Sequence, residues 1–212
     1  HYCLLMGGPG MWFMGAIAVV WLLTNLVGLA LSWPGAWLRI RSWVPIFSVR
    51  AKAGSYKVNY DLHRVGGVVL TPLLLVLAFT SIYLNMRVLV IPLVAKVAPL
   101  STPGPRGQGY GDVDPRVTPD EAMAAASRAV PGERLDRFSW DFRNGGYTVR
   151  LQLPDDPGHY GNNLASVDFM TGEVKSLRLA ANDTAGDRFL NWQLPLHAGR
   201  FWGIVGQILV AF

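Results

Sequence analysis

Residues 11–31, MWFMGAIAVVWLLTNLVGLAL, contain no charged side chain. At 1.5 Å of rise per residue a helix of that length is about 31 Å long, enough to cross the hydrocarbon core of a bilayer. Residues 65–86, VGGVVLTPLLLVLAFTSIYLNM, are equally free of charge and give a second such helix of about 33 Å. A third uncharged run, residues 201–212, is still apolar at the last residue, so the sequence is expected to stop inside a helix. It begins at His1 without a methionine, and residues are expected to be missing at both ends. The whole chain is 51% hydrophobic and only 16% charged with positive mean hydropathy, which excludes an ordinary soluble domain of this size.

The charge of +5 is local rather than spread. Arg39, Arg41, Arg50, Lys52, Lys57 and Arg64 face the single acid Asp61 between the first two runs, and six less one accounts for the entire excess. Such a loop predicts the cytoplasmic side. The stretch from Arg87 to Arg188 has twelve basic and thirteen acidic residues and is expected outside. A basic surface for nucleic acid is excluded, because the cations lie in one membrane-adjacent loop. The first helix then runs out to in, the second in to out, and the third out to in. Trp12, Trp33, Trp37, Trp43 and Trp202 sit near the helix ends as interfacial anchors.

Segment by segment, residues 1–33 are the first membrane helix, 34–63 the basic loop and 64–87 the second helix. Residues 88–117 are a membrane-hugging exit, broken by Pro92 and Pro99, and a Gly/Pro-rich linker. Residues 118–180 are an extramembrane module, 181–195 a linker, and 196–212 the start of the last helix. In the module, Thr118, Pro119 and Glu121 predict a capped helix over 119–130. Period-two alternation then appears in Leu135, Phe138, Trp140 and Phe142 and, after Asn144-Gly145-Gly146, in Tyr147, Val149, Leu151 and Leu153. A second hairpin is predicted from 164–170 and 174–179. The fold expected is an α-helical transmembrane bundle, three helices of four being visible, with an inserted small α+β extracytoplasmic domain.

Chemistry is expected from the histidines. His1, His63 and His197 all fall at predicted membrane boundaries, whereas His159 lies in a polar loop of acids, Pro and Gly and reads as solvated. An imidazole ligates haem iron through one ring nitrogen while the other donates a hydrogen bond, and porphyrin fits between the helices of a bundle. His1 and His197 share the outer level on different helices, so one bis-histidine haem is expected between them. His63, on the inner side, needs a partner from a helix that precedes residue 1. Gly7, Gly8 and Gly10, Gly66 and Gly67, and Gly199, Gly203 and Gly206 follow the three histidines and offer room for a flat macrocycle. Arg64 and Arg200 are placed to pair with haem propionates. The competing reading makes the histidines interfacial anchors and the glycines close-packing positions. Cys3, the sole cysteine, has no intramolecular disulfide partner and is assigned no role.

The segments that carry these histidines resemble the PepSY-associated transmembrane family. Asp61-Leu62-His63-Arg64 followed by Gly66 is similar to its DLHR segment, Leu194-Pro195-Leu196-His197-Ala198-Gly199 to its LPLHxG segment, and His1 with Leu4, Leu5 and Gly10 to its helix-opening histidine. Thr118-Pro119-Asp120-Glu121-Ala122 and residues 167–174 look like the start and end of a PepSY module. Members of this family that are similar to ferric siderophore reductases have four helices and extracytoplasmic PepSY modules. The resemblance therefore implies two haems b held by His1, His63 and His197, and delivery of electrons from the cytoplasmic side of a bacterial inner membrane to a ferric siderophore or other ferric chelate in the periplasm. One departure is Thr80-Ser81, where the family has Thr-Gly. With no glycine fingerprint for a nicotinamide dinucleotide, the donor is expected to be a quinol or a cytoplasmic flavoprotein. Two other classes remain open: a membrane-anchored peptidase regulator or sensor that binds a peptide at its sheet edge, and an iron-chelate transporter. The transporter finds little support, since only Thr24 and Asn25 interrupt the apolar pattern of the first helix.

Overall fold

The computed structural model describes residues 7–101, 114–142, 144–153 and 162–211. The chain divides into two compact units, His1–Ile91 and Pro92–Phe212.

In the first unit, helix α1 spans Gly8–Ser32 and helix α2 spans Ser55–Asn85. Both are long and apolar enough to cross a membrane. They pack antiparallel through small residues. Gly10, Gly15 and Ala18 are buried on α1, and Thr71, Ala78 and Thr80 on α2. A Cβ on Gly15 would stand 2.6 Å from Met86 Cγ, so a larger residue there would displace the Met86 side chain. The other faces leave Phe13, Val20, Leu23, Val69 and Leu70 exposed, which is tolerable only against acyl chains or further helices. Thr24 and Asn25 donate to the carbonyls of Val20 and Trp21 at 2.7 and 2.8 Å, so the polar spot in α1 is satisfied inside its own helix. Pro72 lies within α2 and lacks an N–H; one residue earlier the Thr71 hydroxyl bonds the Gly67 carbonyl at 2.7 Å.

Helix α2 begins earlier than residue 64, where the uncharged run suggested its start. Its 31 residues make a rod of about 46 Å, longer than a hydrocarbon core, so the polar first turns extend beyond it. Helix α3, Arg87–Val97, follows and contains Pro92, so residues expected to be a broken exit are helical. It straddles the boundary between the units.

In the second unit, helix α4 (Pro119–Ala129) starts at a complete capping box: Glu121 N–H donates to Thr118 Oγ1 and the Glu121 carboxylate accepts from Thr118 N–H. Strands β1 (Arg134–Asp141), β2 (Gly146–Gln152), β3 (Asn163–Asp168) and β4 (Val174–Arg178) form an antiparallel meander in the order β1-β2-β3-β4. The period-two reading is correct for β2, whose Tyr147, Val149 and Leu151 all point into the core with Ala165 and Val167 of β3, Phe169, and Ala122, Ala125 and Ala126 of α4. Tyr147 hydroxyl donates to the Val117 carbonyl at 2.6 Å, tying the strand to the entry of α4. At the β3–β4 turn Asp168 accepts from Met170 N–H at 2.6 Å and Thr171 N–H at 2.9 Å, and Gly172 takes the left-handed conformation.

Residues 181–195, read as a linker, are instead a 3₁₀ turn and most of helix α5, Ala185–His197. A second capping box starts α5. Asp187 accepts from Thr184 N–H at 3.0 Å and also from the backbone and hydroxyl of Ser101. The Pro99 carbonyl accepts from Gly186 N–H at 3.2 Å, and a Cβ on Gly186 would collide with that oxygen at 2.5 Å. The chain entering the α4–β module is thus stapled to the chain leaving it. Burial pushes the Asp187 carboxyl up, but the hydrogen bonds from Ser101 and Thr184 outweigh it and hold the group at about 2. A carboxylate below its unfolded value of about 3.8 stabilises the fold fully above that pH, and the contribution is lost as pH falls toward 2. Asp187→Asn is therefore expected to flatten the acid limb of the stability profile between about pH 4 and pH 2. An unaltered limb, measured by urea denaturation, would count against the staple.

Candidate functional site

His63 is the ninth residue of α2, two turns and more inside the helix rather than at its opening. Its side chain is exposed. Gly66 and Gly67, three and four residues on, lie on the same face one turn away, and a Cβ on either would meet nothing within 4 Å. The imidazole therefore stands beside an open, side-chain-free notch.

Asp61, the lone acid of the basic loop and the first residue of the DLHR-like segment, organises this end of α2. Its carboxylate is fully buried. Arg50 makes a bidentate pair with it, Nε to Oδ2 and Nη2 to Oδ1 both at 2.8 Å, and adds its own backbone N–H at 3.1 Å. Arg64 Nη2 completes the cluster at 3.1 Å from Oδ1 and donates to the Ser48 carbonyl at 3.0 Å. Planar guanidinium and carboxylate groups match in this geometry, and the loop at 48–50 is thereby pinned to the helix. Arg64 is consequently not held in reserve for a propionate alone. Among the described residues its buried Nε has no hydrogen-bond partner. The signal in the sequence was that Asp61 is the lone acid among six cations. Its partner eleven residues earlier was not readable without the fold of the loop.

His197 closes α5 rather than opening a membrane helix. Gly199 is left-handed (φ 65°), a 3₁₀ turn covers Arg200–Trp202, and helix α6 starts at Gly203, also at positive φ (59°). The unbroken helix expected over 196–212 is thus interrupted at two glycines, because a left-handed residue cannot propagate a right-handed ladder. The half-buried imidazole sits at the negative end of the α5 dipole, in the same turn as Arg200. Trp192 and Phe201 close this corner edge to face at 5.5 Å.

The glycines after His197 serve the chain itself. A Cβ on Gly199 would lie 2.3 Å from the Gly206 carbonyl oxygen, and one on Gly206 would lie 2.1 Å from that of Gly199. Gly199 and Gly206 therefore bring two backbone segments together and do not leave room for a macrocycle. Gly203 alone has open space around it. Gly199→Ala combines backbone collision with left-handed strain and is expected to cost at least about 2 kcal/mol, whereas Gly203→Ala meets strain only, about 1–2 kcal/mol. Thermal melts of the two variants check this, and equal midpoints would contradict it.

His63 and His197 lie in different units, while His1 and His159 fall outside the described residues. No group of three or more His, Cys, Asp or Glu side chains suited to a metal ion occurs among the described residues. A ligand set of that kind is not what an iron porphyrin needs, since the macrocycle supplies four nitrogens and the protein one or two imidazoles. A family profile described as the PepSY-associated TM region matches residues 1–212. No curated protein matches the sequence.

Proposed function

The chain belongs to the PepSY-associated transmembrane family, and from that premise we propose that it is a membrane ferric reductase that conducts electrons across the bacterial inner membrane to a ferric siderophore or ferric chelate in the periplasm. The observation that carries the reading is the exposed His63 beside the open glycine notch of an apolar helix. Haem b, when bound, supplies reversible one-electron carriage, and the protein supplies ligands, orientation and low dielectric. His63 would hold one haem on the inner side, its second histidine coming from outside these residues. His197 and His1 would hold another on the outer side, a pairing that rests on the topology read from the sequence. Arg64 and Arg200 would pair with propionates. The Asp61 cluster keeps the His63 turn of α2 from fraying at its charged end, and the donor on that side is a quinol or a flavoprotein.

Purified full-length protein in detergent is expected to give a reduced-minus-oxidised spectrum of b type. A colourless preparation with correctly folded helices would overturn the proposal.

A second reading, a peptide-binding regulator, draws on one feature of the α4–β module. Strand β1 is a sheet edge with Trp140 and Phe142 exposed and stacked at 5.5 Å. A peptide adding a strand there would use main-chain pairing and the aromatic row. Binding of extended peptides by a protein that lacks haem would favour this reading.

A further inference from the structure

We propose that the loop between α1 and α2 is a binding surface for anionic phospholipid headgroups on the face of the bilayer where α1 ends and α2 begins. Two independent features of residues 33–57 support it.

The first is how the loop folds and what it presents. Tight turns give Arg39 N–H to the Ala36 carbonyl, Ser42 N–H to Arg39, Trp43 N–H to Ile40, Ile46 N–H to Trp43 and Phe47 N–H to Val44, all within 3.2 Å. The Ser42 hydroxyl adds bonds to Ala36 and Arg39, and the Trp43 indole N–H donates to the Trp37 carbonyl at 2.8 Å. Trp33 and Trp43 pack edge to face at 5.1 Å. These bonds and the Trp33–Trp43 contact fold the segment into a compact set of turns that fixes which side chains it presents. What it turns outward is apolar: Leu38 is 79% exposed and Ile40 85%.

The second feature is the distribution of charge. Asp61, the only acid in the loop and the first turns of α2, is engaged by Arg50 and Arg64. Arg39, Arg41, Lys52 and Lys57 are all exposed, and no ion pair involves them among the described residues. Arg39 and Arg41 alternate with Leu38 and Ile40. This places guanidinium groups at headgroup depth while the aliphatic side chains enter the acyl region. Their match is a surface of closely spaced phosphates, as in phosphatidylglycerol, where each cation adds to attraction. Topology alone would require positive charge here but not the protruding aliphatic residues between the arginines.

The test is native mass spectrometry of the full-length protein released from nanodiscs of phosphatidylcholine with a minority of phosphatidylglycerol. Wild type is expected to retain phosphatidylglycerol several-fold above its bulk share, and raised salt during equilibration should lower the enrichment. Arg39→Gln/Arg41→Gln should reduce it by on the order of five-fold or more. Arg134→Gln/Arg137→Gln, which removes the same charge from exposed positions of β1, should leave it unchanged. Equal enrichment in the two double variants, or enrichment insensitive to both salt and Arg39→Gln/Arg41→Gln, would overturn the proposal and turn attention to an acidic protein partner. Should the loop variant fail to fold, the salt response of wild type decides alone.

Discussion

With two haems b bound as proposed, His197→Ala is expected to abolish one of the two signals, halving the b-type absorbance per chain and leaving the other signal at its wild-type potential. An imidazole would be the protein's main bond to that iron, so truncation to a methyl group would remove the ligand. Arg200, in the same turn, cannot replace it because guanidinium has no lone pair to offer. His1→Ala should remove the same signal, given the outer level that sequence topology assigns to both residues. His63→Ala should remove the other signal, and His159→Ala neither. Separate losses for His1→Ala and His197→Ala, resolved by redox titration of each variant, would refute their pairing.

The second large effect falls in the α4–β module. Phe169 is 2% exposed and packs edge to face on Tyr147 at 4.6 Å, with Phe142 at 5.5 Å and Trp140 at 5.9 Å. Its backbone carbonyl also receives the N–H groups of Arg116 and Val117, bonds that position the residue but do not depend on the ring. Phe169→Ala should cost about 3–5 kcal/mol. A domain of roughly 65 residues has only about 3–10 kcal/mol of stability, so the module should be largely unfolded or unfold at very low denaturant, with loss of near-ultraviolet dichroism. Trp140→Ala, at an exposed position in the same aromatic row, should cost under about 1.5 kcal/mol. Comparable losses in the two variants would show that the aromatic row, not the buried core, sustains the module.

Much of this architecture was legible in the residues. Thr118, Pro119 and Glu121 marked the start of α4 because each has a local physical role there, and alternation in Tyr147, Val149 and Leu151 marked a half-buried strand for the same reason. The apolar runs marked α1 and α2 by length alone. What escaped the sequence depended on contacts or dihedral angles. The polar first turns of α2 are helical because they continue a long rod, and no apolar period announces them. Thr184 and Asp187 form a capping box whose signal was masked by the surrounding Asn, Asp and Gly residues. The breaks at Gly199 and Gly203 lie beside a continuous apolar run, and a positive φ leaves no compositional trace. In the candidate site, His63 and His197 were singled out by predicted membrane boundaries, whereas His63 lies within α2 and His197 at the end of α5. Asp61 was missed as an organiser because Arg50 reaches it through a loop fold that local pattern does not encode.

The central claim is conduction of electrons across the bilayer, and sealed vesicles test it most directly. Full-length, haem-loaded protein would be reconstituted with dithionite enclosed and ferric citrate outside, and external Fe(II) followed with an impermeant ferrous chelator. Each electron that crosses reduces one Fe(III) to Fe(II). The account predicts Fe(II) formation well above that of protein-free vesicles, and its fall to that background in His63→Ala. Equal rates in wild type, His63→Ala and empty vesicles would contradict it.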